Sequence, residues 1–472
     1  MRCRWRSGSA LALILSIAAC GRAAAPAQAT TTCDYVLTPP PAGSWTVRVE
    51  ARIHGAPGPR LVDPEGGEAL REVVVVEGGA GRPLARAGDA WLAPSCTGDC
   101  TLRYTLDLDA LAGACQGHGC PRRIGDAVLG AASDWMLRPE AAGDAEIRVA
   151  VKGGDPSRFA TGLRRDGHGG FVLRERELGE AAYTAFGSFR RSAALVPGGG
   201  LDVVLLGAPL AMGDAAVLAW VKDAASCVAR LYGAFPAQAT IFVVPVPGAD
   251  EVVFGRVMSL SGGSVVLLFG AETKASSEHA DWVVVHELSH LGTASLVGEA
   301  HWLEEGLATY YEPVLRERAG WMTEADLWTH FVSQMPRGEP TPGEPAGLEE
   351  RDDIDATYWG GALFCFLADM AIRKQTHGAK SLDDVVRAVH DRLGDATHAT
   401  RLTDFVRVGD EATGTHALAD VVARFAVAGE PVDLPGTWQG LGVTVAADGA
   451  VTLRDDAAFS AVRRGIAAGA AH

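Results

Sequence analysis

The chain has 472 residues, too many for one ordinary hydrophobic core, and typical domain sizes predict two or three domains. Hydrophobic residues at 48% and charged residues at 21% are near globular averages, which argues against wholesale disorder and against a polytopic membrane protein. With 42 basic against 58 acidic residues the formal charge is −16, and no Lys/Arg-rich run follows the first six residues, so no nucleic-acid partner is expected.

Residues 1–20 read as an export signal: Arg2, Arg4 and Arg6 precede the apolar run LALILSIAAC, which is too short to span a bilayer. Its end, Ile17-Ala18-Ala19-Cys20-Gly21, resembles the lipobox of bacterial lipoproteins, in which the cysteine is diacylated and becomes the new N-terminus. That resemblance implies a lipid anchor on Cys20 and a place in the bacterial cell envelope, periplasmic or on the outer surface. The Ala/Pro/Thr-rich residues 21–33 then form a flexible tether. Export exposes the cysteines to an oxidising compartment. Cys96 and Cys100 in SCTGDC, and Cys115 and Cys120 in CQGHGC, are expected to form two local disulfides, although their spacing also invites a zinc site. Cys227 and Cys365 lie in apolar, helix-like runs and read as buried thiols.

Residues 34–195 carry short alternating or β-branched runs broken by Gly, Pro and Asp, the pattern of an all-β domain, a sandwich. Near Leu201 the pattern changes. LDVVLLG, TIFVVPVPG and SVVLLFG predict buried strands, with a helix from an N-cap at Asp214 to Tyr232 between the first two. After Ser277 the periodicity is helical, interrupted by a Pro/Gly/Glu-rich insert between Pro336 and Asp353 that reads as a mobile loop. Residues 196–430 thus form an α+β unit with a helical C-terminal subdomain. Residues 431–472 read as a small β segment and tail, with a hairpin turn around Asp448-Gly449.

Within DWVVVHELSHLG, His286 and His290 frame the spacing H-E-x-x-H. Four residues turn a helix by about 400°, so both imidazoles share one face and can bind one tetrahedral metal. Glu287 is offset by about 100°, beside that metal's open position, where it can act as a base. A third ligand is needed, and in HWLEEGLATYYE His301, Glu304, Glu305 and Glu312 are all within reach in principle.

The segment WLEEGLATY resembles the W-L-x-E-G-[FL]-[AT]-x-Y element of gluzincin zinc peptidases, in which the glutamate before glycine is the third ligand. The resemblance therefore assigns Glu305 to the metal, leaves Glu304 to solvent, and implies that Thr309 hydrogen-bonds a ligating histidine. Downstream, DATYWGGALFCFLADMAIRKQTHGAKSLDDVVRAV resembles about thirty residues of the glycyl aminopeptidase family, where the tyrosine stabilises an oxyanion; that role falls on Tyr358. Family architecture implies a β-domain followed by a thermolysin-like catalytic domain binding one Zn²⁺ per chain. Two departures stand out. The family usually carries a C-terminal PDZ domain, for which too few residues follow Gly429. Aminopeptidase relatives also carry a Gly-x-Met-Glu element whose glutamate holds the substrate amine, whereas here Met258 is followed by Ser259 in FGRVMSLSGG, a stretch that could instead be an edge strand pairing with an extended peptide. The expected function is zinc-dependent hydrolysis of peptide or protein substrates, as aminopeptidase or endopeptidase. The alternative is an inactive lipoprotein of the same fold that binds peptides or envelope proteins.

Overall fold

The computed structural model describes residues 31–469 apart from 118, 297, 299, 341–345, 352 and 447–448, so the expected export signal, Cys20 and most of the tether lie outside the described residues. In Thr46–Ala56 the side chains of Val47, Val49, Ala51 and Ile53 point inward at every second position, the period of a half-buried strand. This strand lies in a seven-stranded sheet with the order Phe171–Arg174, Glu146–Val151, Thr32–Thr38, Thr46–Ala56, Gly98–Asp107, Leu70–Glu77, Ala80–Pro83. Its pairs are antiparallel except for Thr32–Thr38 with Glu146–Val151. A four-stranded sheet (Phe159–Thr161, Tyr183–Gly187, Ala127–Ala131, Arg122–Ile124) packs on it: Val128, Phe159 and Phe186 share one buried core with Leu102, Ile147 and Leu173. Trp135 fills the middle of that core, edge-on to Tyr35 and Phe186. A smaller four-stranded sheet completes the β-region. Thr32 and Cys33, expected at the end of the tether, belong to a strand, and Cys33 is buried.

The second region is built on a five-stranded sheet, ordered Arg190–Val196, Gly199–Leu205, Ala239–Val246, Gly263–Gly270, Val252–Met258. Its first strand begins at Arg190, so the change of architecture precedes the expected boundary after residue 195. Gly199–Leu205, Ala239–Val246 and Gly263–Gly270 run parallel, and the helix Asp214–Tyr232 makes the crossover between the first two. Gly213, not Asp214, caps that helix; the Asp214 carboxylate is taken by Arg190, whose Nε donates to it at 2.6 Å. Val252–Met258 pairs antiparallel with Gly263–Gly270 and forms the sheet's edge, as FGRVMSLSGG suggested.

Helices follow at Val283–His290, His301–Arg318, Glu324–Gln334, Gly361–Gln375, Leu382–Leu393 and Leu402–Thr413. Of the Pro/Gly/Glu-rich insert, residues 341–345 and 352 lie outside the described residues; before them Gly338 packs on the Trp359 backbone, and after residue 345 Glu349 accepts from the Trp302 indole N–H at 2.7 Å. In residues 431–472 the expected hairpin is present as Val443–Val445 with Val451–Leu453, its turn partly outside the described residues. It is flanked by helices Leu434–Leu441 and Ser460–Ala468, which strand-like patterning did not predict. Disulfides join Cys96 to Cys100 and Cys115 to Cys120, and Cys227 and Cys365 are buried free thiols together with Cys33. Among the described residues no helix is long and apolar enough to cross a membrane.

Candidate active site

Three elements and one sheet edge converge on H-E-x-x-H. The helix Val283–His290 is held by its aliphatic side, since Val283, Val284, Val285 and Leu288 are all buried in the main core. Its first turn is capped from outside by the Asp281 carboxylate, which accepts the Val284 N–H at 3.3 Å. The remaining face carries His286, Glu287 and His290. The helix His301–Arg318 brings Glu305 onto the two imidazoles, and Gly306 beside it is required by packing. A Cβ at Gly306 would lie 2.3 Å from the carbonyl carbon of Gly361, and one at Gly361 would lie 1.9 Å from the Trp302 oxygen. The two helices therefore touch backbone to backbone. That contact draws in the π-helical turn Ala356–Gly360, where the Tyr358 ring stacks on His286 with centroids 5.9 Å apart and planes 18° from parallel. On the opposite side the edge strand closes in: a Cβ at Gly255 would lie 2.2 Å from Glu287 Cγ.

His286 Nε2 lies 3.2 Å from Glu305 Oε2, His290 Nε2 lies 3.3 Å from His286 Nε2, and His290 Nε2 lies 3.5 Å from Glu305 Oε2. Ligand bonds of about 2.0–2.1 Å to a tetrahedral zinc place neighbouring ligand atoms about 3.3 Å apart, so the triangle matches three corners of such a site. Charge fits as well. Burial works against a charged His290 ring, yet the Glu305 carboxylate outweighs it and raises the imidazole to about 9. Burial opposes the Glu305 carboxylate too, but His290 and His286 hold it well below the usual carboxylate range. Glu305 is thus held as the anion that a metal ligand must be. No other group of three His, Cys, Asp or Glu residues among the described residues is arranged to hold a metal.

Glu287 is buried beside this triad, and desolvation, offset in part by His286 and His290, raises its carboxyl. Burial and the carboxylates of Glu305 and Glu287 likewise push the Tyr358 phenol up, so its O–H stays a donor. Two expectations need correction. Thr309 makes no hydrogen bond to a ligating histidine; its Oγ1 is buried without a partner. Glu304 is not left to solvent: its Oε1 accepts from the Leu296 N–H at 2.7 Å and the Ser295 hydroxyl at 2.8 Å, tying down the chain between the two helices. Of the other ligand candidates, Glu312 is buried against Arg316, and the His301 side chain is 70% exposed with its Nε2 3.8 Å from Glu305.

The triad opens into a cleft of about 360 Å³ whose lining includes Glu287, His290, Glu305 and Tyr358. Two further side chains line it that motif reading passed over, Glu180 from the β-region and Arg256 from the edge strand. Arg256 stands in the glycine-containing stretch already singled out, which was the available signal. Glu180 sits in a short 3₁₀ segment far away in sequence and offered none.

No family model matches the chain, and no curated protein matches it in sequence. Solved structures do match. A crystal structure of an aminopeptidase N family protein from Idiomarina loihiensis superposes with a TM-score of 0.66 over 88% of this chain and 79% of that one, at 16% identity. An M1 zinc metallopeptidase from Deinococcus radiodurans covers 86% of this chain and 96% of its own at 17% identity and a TM-score of 0.49. Of these two the first defines the fold, and the chain shares with it N-terminal β-sheets followed by an α+β and helical region.

Proposed function

We propose that this protein is a zinc-dependent peptidase of the cell envelope, related to the glycyl aminopeptidase family and tethered by a lipid on Cys20. The observation that carries the reading is the His286–His290–Glu305 triangle with edges of 3.2, 3.3 and 3.5 Å and the buried Glu287 at its side. In this reading His286, His290 and Glu305 hold one zinc ion. When bound, that ion supplies Lewis acidity to the scissile carbonyl and to water. Glu287 accepts the proton of the attacking water and returns it to the leaving amine. Its buried position keeps bulk water from competing for that proton. The Tyr358 hydroxyl donates a hydrogen bond to the developing oxyanion. The sheet-edge strand Val252–Met258 offers backbone hydrogen bonds to an extended peptide, holding the chain across the cleft.

The test is hydrolysis of blocked and free-N-terminal peptides by the zinc-loaded protein and two variants. Glu287→Gln is expected to keep zinc and peptide binding while turnover falls by at least ~10²–10⁴. Tyr358→Phe should lose ~10²–10³ in rate, the scale of one oxyanion donor. If the wild-type protein binds peptides with zinc in place and cleaves none across a broad library, the docking alternative replaces this reading. The comparison of blocked with free peptides assigns the mode, aminopeptidase or endopeptidase. For the anchor, Cys20→Ser is expected to abolish metabolic labelling with a fatty acid; unchanged labelling would remove Cys20 from the proposal.

A further inference from the structure

We infer that Arg256 forms a carboxylate-binding subsite, so that the preferred substrates are peptides presenting a carboxylate next to the scissile bond. The inference rests on the peptidase reading and names the substrate class of the same cleft. Among the described residues that line the cleft, Arg256 is the one Lys or Arg side chain, in a lining that also includes Glu180, Glu287, Glu304 and Glu305. It forms no hydrogen bond or ion pair with any described residue. Two of the cleft's carboxylates already have partners: Glu305 has the two histidines, and Glu304 has Ser295 and Leu296. A half-buried guanidinium therefore keeps its fork of N–H donors free within an otherwise acidic cleft.

Its position on the strand says where the ligand lies. Gly255 packs on Glu287, and successive residues of a strand face opposite sides, so Arg256 projects away from the base. Its Nη1 reaches within 3.7 Å of the Cβ position of Gly119, in the β-region loop closed by the Cys115–Cys120 disulfide. The guanidinium thus sits where the β-region meets the edge strand, displaced from the reacting carbonyl but beside a peptide laid along that edge. A carboxylate there makes two parallel charge-assisted hydrogen bonds, the best match to a planar fork. Two sources supply such a group: an Asp or Glu side chain flanking the scissile bond, and the α-carboxylate of a di- or tripeptide.

The experiment uses peptide pairs that differ only in Glu against Gln at each position, each with a free or an amidated C-terminus. Two quantities are read: kcat/KM with the zinc-loaded full chain, and calorimetric affinity for zinc-loaded Glu287→Gln. The wild type is expected to favour the carboxylate member of one pair type by ~10- to 100-fold, as for a hydrogen bond to a charged group. The pair type that shows the preference identifies the source. In Arg256→Gln the ratio should collapse to near one, and Arg256→Lys, with charge but no fork, should restore part of it. Peptide cleavage without such preference, or a preference that survives Arg256→Gln, would overturn the subsite and leave the peptidase reading standing. Discriminating affinity in Glu287→Gln, abolished by adding Arg256→Gln, would uphold the subsite even if the wild type cleaved no peptide.

Discussion

Adjacent glutamates in one helix have separate work here because a helix turns about 100° per residue. Glu305 points at the imidazoles, while Glu304 points at the loop after the first helix and accepts from Leu296 and Ser295. Their substitution should therefore separate metal from scaffold. Glu305→Ala is expected to lose zinc by elemental analysis. Glu304→Ala is expected to retain it but to lose about 1–3 kcal/mol in denaturant unfolding, since a buried backbone donor loses its acceptor. Full zinc in Glu305→Ala would remove that residue from the ligand set. The motif spacing made His286, His290 and Glu287 legible because one helix face is a local property. The roles of Glu304 and Arg256 were not legible, because pairing or its absence depends on residues brought in from other elements.

At the level of elements, the site depends on how closely two helices approach. Alanine is normally the better helix residue, by about 0.5–1 kcal/mol over glycine, so propensity alone predicts that Gly306→Ala stabilises the chain. Packing predicts the reverse sign, because the added Cβ would sit 2.3 Å from the Gly361 backbone, with no flexible side chain to yield. We expect a loss of about 1–3 kcal/mol, as for overpacked cores, together with zinc retention and a lower kcat as Tyr358 shifts from His286. Chemical denaturation gives the sign directly; a more stable Gly306→Ala would mean that the helices separate without cost. The pairing was invisible in the sequence, where Gly306 and Gly361 look like two unrelated helix weaknesses. Long periodic elements were legible, as with Asp214–Tyr232 and the three buried strands around it. One of the last helices was missed for a physical reason. Leu434–Leu441 is eight residues with two glycines and a proline, started by the Asp433 side chain accepting from the Gly436 N–H, and so shows little helical periodicity.

On the scale of the whole molecule, the cleft takes side chains from both regions, so its geometry depends on their being locked together. The lock is a dry patch: Ala127, Leu129, Ala160 and Ala185 of the β-region pack on Val204, Leu206, Phe242 and Val266 of the five-stranded sheet. Hydrogen bonds frame it. The Ala182 N–H donates to Ser261 Oγ at 2.7 Å, the Tyr183 N–H to Ser264 Oγ at 3.0 Å, and the Thr240 hydroxyl to the Thr161 carbonyl at 3.1 Å. Phe242 is the largest side chain of the patch, fully buried and edge-on to Tyr183 with ring centroids 6.4 Å apart. Phe242→Ala should cost about 3–5 kcal/mol, as should Phe366→Ala in the helical core, where the side chain is equally buried. The two losses differ in where they fall. Removing Phe366 weakens one region from within and is expected to lower a single calorimetric transition. Removing Phe242 weakens the coupling between regions, so the transition should split, with the β-region and the zinc-binding region unfolding separately. Scanning calorimetry of both variants decides the matter: if Phe242→Ala still unfolds in one transition, shifted like that of Phe366→Ala, the polar frame alone holds the regions together.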